Sequence, residues 1–212
     1  MNQLKMLITY QLNSIQSCLD HAISDLHREW NKIEKNNKRG KYRDYEDYES
    51  AQDLPIARLE IALRAVGYEL VALVENYFHK FAHKGWRDSK KYKGPKSILD
   101  LEQINSSTLS RIIMVSDVSF GEVIKIIEEE YCMKLSEIEG WEDVKQLRQT
   151  VNAFKHRDGF KHPREIDWTK GDKLHPRDAF WVEEAKDAIG KTKLFLIRFL
   201  TLIDGKIKKP PQ

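Results

Sequence analysis

Between Leu147 and Gly159 the chain reads LRQTVNAFKHRDG. Arg148, Asn152 and His156 stand four residues apart, and four-residue steps bring side chains onto one stripe of a helix. Lys155 borders that stripe, while Val144, Leu147, Val151 and Phe154 fall on the adjoining side. The polar groups are therefore expected at the rim of a core, not fully out in solvent. Their types suit RNA cleavage through the 2′-hydroxyl, in which a base takes the hydroxyl proton and cations hold the phosphate. An imidazole with an ordinary pKa of about 6.5 exchanges protons near neutrality. On this reading His156 is the general base or acid and Asn152 its orienter, with Arg148 and Lys155 as phosphate contacts. The scheme needs no metal or cofactor. A second reading is structural. Basic side chains gather in the last turn of many helices, where they complement the dipole and bond free carbonyls, and Gly159 is an ordinary stop. Spacing alone leaves both open.

Other groups carry weaker signals. Glu75, His79 and His83 also recur at four-residue steps, and two His at that spacing can share a metal. The neighbouring Phe78, Phe81 and Trp86 favour amphipathic packing for this stretch, with Glu75 bonded inside the bundle. From His79 to Lys96, in HKFAHKGWRDSKKYKGPK, the charged residues are all basic but Asp88. Lys84, Arg87, Lys90, Lys91 and Lys93 could meet phosphates there, and Trp86 and Tyr92 could stack on bases. A solvated charged loop explains the same residues. His162, His175, Asp158 and Asp167 are scattered without fixed spacing, as in a solvated loop. Walker, dinucleotide-binding, nucleophile-elbow and deaminase signatures are absent from the sequence.

These residues must be positioned by helices. Leu4, Leu7, Ile8, Leu12, Ile15, Leu19, Ile23, Leu26, Trp30 and Ile33 recur at three- and four-residue steps, which predicts one long amphipathic helix. Asp53 and Pro55 suit the start of a second, with Ile56, Leu59, Leu63, Val66, Leu70, Leu73, Val74, Tyr77, Phe78 and Phe81 on its apolar face. Ser119 and Glu122 form a capping-box pattern before a third helix. Trp141 to Phe154 marks the motif helix, and a last one is expected from about Arg177 to Leu202, followed by a frayed tail. Polar loops are expected at 85–97 and 157–177; the polar stretch 35–53 is either a loop or a partial extension of the flanking helices. The fold class is all-α, a bundle of about five helices in a single domain over 1–212, with long antiparallel helices near the N-terminus.

A chain of 212 residues with 41% hydrophobic and 33% charged residues can bury a core beneath a wet surface. Its formal net charge of +3 does not by itself imply nucleic acid, although a basic patch can exist on a near-neutral molecule. Two cysteines, Cys18 and Cys132, exclude a disulfide framework and are expected to be reduced and buried. The first residues, MNQLKMLITYQLNSIQ, are too polar for a signal peptide, and no apolar run reaches membrane-spanning length. A soluble, cytoplasmic protein without membrane contact is the expectation.

The segment GWEDVKQLRQTVNAFKHRDG resembles the signature helix of the HEPN superfamily, helical bundles that include many RNases. Asn152 and His156 match that helix's Asn and His, and Leu147-Arg148 matches a common upstream pair. The stretch ARLEIALRAVGYELVALVENYFHKF is similar to the family's long second helix, with Glu75 at a familiar place. The motif is degenerate: Val151 stands where the family's Arg precedes the Asn, and Arg148 lies about one turn earlier. The resemblance implies a homodimer that brings two His-bearing helices together around an RNA cleft. It also implies toxin–antitoxin, phage-defence or RNA-processing settings. Some members of the family have lost the motif and serve as structural or binding partners, which implies a cognate protein partner.

Overall fold

The computed structural model describes residues 2–88, 119–157 and 182–207, apart from the side chains at 83–88, 156, 157 and 207. The described residues hold five α-helices and no strand: α1 (Asn2–Lys38), α2 (Tyr45–Asp88), α3 (Phe120–Glu130), α4 (Trp141–Arg157) and α5 (Val182–Ile207), with a 3-10 turn at Leu135–Glu137. The all-α class expected from periodicity is what the chain adopts. At 1.5 Å per residue, α1 with 37 residues spans about 55 Å and α2 with 44 about 66 Å.

Two compact units divide these elements: Ala72–Glu142 with Phe195–Gln212, and Asn2–Val71 with Asp143–Leu194. The second unit buries Ile8, Leu12, Leu19 and Ile33 of α1, Leu63, Val66, Leu70 and Val71 of α2, and Val144, Leu147, Val151 and Ala153 of α4. Ala185 and Ile189 of α5 complete its apolar core. The first unit is aromatic at its centre. Phe78 lies 4.8 Å from Phe199 between ring centroids, 5.6 Å from Phe120 and 5.9 Å from Trp141, and the last two are stacked on it. Such pairs add roughly 0.5–1.5 kcal/mol each beyond the area they bury. Tyr131 is also buried and donates its hydroxyl to the Phe81 carbonyl at 3.0 Å.

Helix ends follow local chemistry. Ser119 caps α3 with the full reciprocal box: its Oγ accepts from the Glu122 N–H, and the Glu122 carboxylate accepts from the Ser119 N–H. At the end of α1, Gly40 is left-handed (φ 64°), and the Gly40 and Lys41 N–H groups bond Asn37 and Asn36. This is a Schellman ending, in which glycine takes the left-handed position without strain. The end of α3 repeats it through Met133 to Glu128 and Cys132 to Glu129, with Cys132 at φ 47° in glycine's place.

The structure refines several expectations. Of the two readings of the polar stretch 35–53, extension of the flanking helices is the one adopted: α1 runs to Lys38 and α2 begins at Tyr45. Asp44, not Asp53, caps α2 by accepting from the Asp47 N–H at 2.9 Å. The Arg43 guanidinium clasps Asp47 and holds its carboxyl below the usual carboxylate range. Tyr48 donates its hydroxyl to Glu34 at 2.5 Å, tying the first turn of α2 to the last turns of α1 and raising the phenol's pKa. Pro55 consequently lies inside α2, where it forfeits the hydrogen bond to the Ala51 carbonyl. At the other end α2 continues to Asp88, past the loop start expected at 85, and α5 takes in 205–207, the first three residues of the tail expected to fray; the rest of that tail lies outside the described residues. Both cysteines are exposed, not buried. Cys18 falls beside, not on, the buried stripe of α1, and Cys132 belongs to a helix ending.

Candidate functional site

Helix α4 carries the stripe. Val144, Leu147 and Val151 are buried, Val151 to 2% exposure, and this side locks the helix's rotation. Arg148 and Asn152 are then half-buried at the rim, where the spacing puts them. Arg148 is already engaged in an interaction. Phe154, expected on the apolar side, is half-buried, and Lys155 is exposed. His156 takes the next register position after Asn152, in the last turn of α4; its side chain lies outside the described residues. Near the start of the helix, Lys191 of α5 bridges Asp187 at 2.8 Å and Asp143 at 2.9 Å. Hydrogen bonds to Asp187 and Asp143 hold its ammonium pKa far above the ordinary lysine range.

Two residues of α2, overlooked in the sequence, adjoin the end of the stripe. The Arg64 guanidinium lies over the Phe154 ring, 5.2 Å from its centroid. The Lys155 ammonium lies over Tyr68, 5.3 Å from that centroid. Each helix thus supplies one cation and one ring, and each cation rests on the other helix's ring. Arg64 and Tyr68 are four residues apart in IALRAVGYEL, beside the buried Leu63, Val66 and Leu70. That spacing was a signal of a shared face, but it did not reveal which helix the face would meet.

The other candidates fall differently. Lys84, Trp86 and Arg87 lie in the last turns of α2, not in a loop, and their side chains are outside the described residues. Lys90, Lys91, Tyr92, Lys93, Asp158, His162, Asp167 and His175 are outside them altogether. Glu75 is half-buried and engaged; His79 is half-buried, with a buried Nδ1 that has no hydrogen-bond partner. Among the described residues no group of three His, Cys, Asp or Glu side chains is placed to hold a metal ion. No helix there is long and apolar enough to cross a membrane.

Comparison with known proteins finds no matching family model, no matching curated protein and no matching solved structure.

Proposed function

We infer that this chain is a HEPN-type helical protein that binds RNA and cleaves it without a metal, acting as a homodimer. His156 takes the 2′-hydroxyl proton; the 2′-oxygen bonds to phosphorus as the bond to the 5′-oxygen breaks, and the leaving oxygen takes a proton back from the imidazolium. Asn152 orients the imidazole. Arg148 and Lys155 hold the phosphate and offset the charge that builds on it. A cytoplasmic toxin–antitoxin or phage-defence setting, with a cognate protein partner, suits that activity.

The observation that carries this reading is the shared stripe on α4. Arg148 and Asn152 sit together at the rim of a packed core, one and two turns before His156. A rigid helix locked by Val144, Leu147 and Val151 is a suitable mount, because catalytic groups must be held to within a fraction of an ångström.

A second reading is favoured by Val151. Position 151, where the family's Arg belongs, is buried in the core and cannot present a cation to phosphate. On that reading the chain is a non-catalytic interaction module of the same fold. Its exposed Met6, Tyr10 and Ile61, between 66% and 72% accessible, suit contact with another protein.

Cleavage of a mixed RNA pool in the presence of EDTA separates the two. Cutting by the wild type and not by His156→Ala supports the nuclease. Equal cutting by both removes His156 from the chemistry. Absence of cutting by either leaves the interaction module.

A further inference from the structure

The geometry points to Arg64 and Lys155 as a paired grip for the phosphates of an RNA strand, with Tyr68 and Phe154 as its supports; this rests on the RNA reading above. Arg64 and Tyr68 belong to α2, away from the signature helix. They extend the contact surface from the stripe of α4 onto a second helix.

The argument begins with what holds the two cations. Several cations of the same unit are paired with carboxylates: Arg28 with Asp25, Arg43 with Asp47, Lys186 with Glu183, and Lys191 with Asp143 and Asp187. Arg64 and Lys155 differ. Among the described residues neither forms an ion pair with a carboxylate; their partners are the rings of Phe154 and Tyr68. What sets them apart is the reciprocal arrangement: each of these two neighbouring cations stands on a ring supplied by the other helix.

A ring face attracts a cation without cancelling its charge. A guanidinium lying over a ring keeps N–H donors free at its edge, in the fork that matches two phosphate oxygens. The ammonium over Tyr68 likewise keeps donors for solvent or ligand. The rings also limit the freedom of two long side chains, so less entropy is lost when a phosphate arrives. Both cations are exposed and both rings half-buried, which places the charge outside and its support beneath. Lys155 precedes His156 in α4, so a strand gripped here would pass the proposed proton carrier.

The test is binding of a short, unstructured, fluorescein-labelled RNA, measured by anisotropy over a range of salt concentrations. Arg64→Ala and Lys155→Ala should each weaken binding about five- to tenfold and lower the slope of log affinity against log salt by about 0.7, the share of one phosphate contact on a single strand. Arg64→Lys should restore the slope, and Arg64→Gln, which keeps most of the stem, should not. Arg43→Ala is the control for net charge; a loss equal to that of Arg64→Ala would overturn the grip. If the wild type binds RNA and cuts it through His156 while Arg64→Ala binds with unchanged affinity and slope, the grip is wrong and the function stands. If the wild type binds no RNA, both fall.

Discussion

Lys155 of α4 rests on Tyr68 of α2, its ammonium 5.3 Å from the ring centroid, and Phe154 beside it lies under Arg64 of α2. Two helices far apart in sequence are joined by an exchange of cations and rings. Exposed contacts of this kind contribute roughly 0.5–1 kcal/mol each. Tyr68→Leu, which keeps apolar bulk and removes the ring face, should therefore lower stability in urea by about that amount. Tyr68→Phe should be near neutral. A Tyr68→Leu protein as stable as the wild type would mean that the ring face adds nothing.

Val151 and Asn152 are adjacent in sequence, yet one is buried and the other sits at the rim. Val151→Arg, which restores the family's residue, should destabilise the protein by roughly 2–4 kcal/mol, because a buried unpaired charge is costly. It should add no nuclease activity. A stable Val151→Arg variant with increased cleavage would require α4 to rotate and would contradict the packing described. Val151→Ala should cost roughly 1–3 kcal/mol through the cavity alone.

Gly40 and Cys132 occupy the same position in two Schellman endings, at φ 64° and 47°. Left-handed backbone costs a residue with a Cβ about 1–2 kcal/mol. Cys132→Gly should accordingly raise stability in urea, by up to about 1 kcal/mol once the greater freedom of the unfolded glycine is subtracted. Gly40→Ala should lower it although no atom crowds the site, since the strain lies in φ and not in space. The Lys206 ammonium, which donates to the Cys132 carbonyl at 2.9 Å, should be untouched by Cys132→Gly.

Hydrogen bonds from the Ser119 hydroxyl and backbone N–H hold the Glu122 carboxyl below its ordinary pKa. A carboxyl depressed in the folded state adds stability that is full above its unfolded value of about 4.3 and fades as pH falls through the folded value. Urea midpoints of wild type and Glu122→Ala should therefore differ at pH 7 and converge in acid. A gap that stays constant with pH would show that the carboxylate charge plays no part. Ser119→Ala should cost about 1 kcal/mol at neutral pH, the usual loss of a helix cap.

Much of the fold was legible because amphipathic helices declare themselves by period. The steps from Ile8 through Leu12 to Leu19 and from Leu63 through Val66 to Leu70 are local facts, and the structure buries those residues. The capping box of Ser119 and Glu122 was visible for the same reason. The start of α2 was not. Its opening turns are tied down by Tyr48 reaching back to Glu34, a contact between two helices, and Pro55 made a later start look natural. Residue type alone points to buried cysteines, whereas register and helix-end geometry leave both exposed.

The sequence by itself determined the helical class, the register of α4 and hence the rim position of Arg148 and Asn152, since all three follow from a period of 3.6 residues. Only the tertiary structure decided which face of α2 meets the end of α4. Arg64, Tyr68, Phe154 and Lys155 carry no local pattern that pairs them. Their meeting depends on how buried side chains on both helices pack, and that packing leaves two cations on rings instead of on carboxylates.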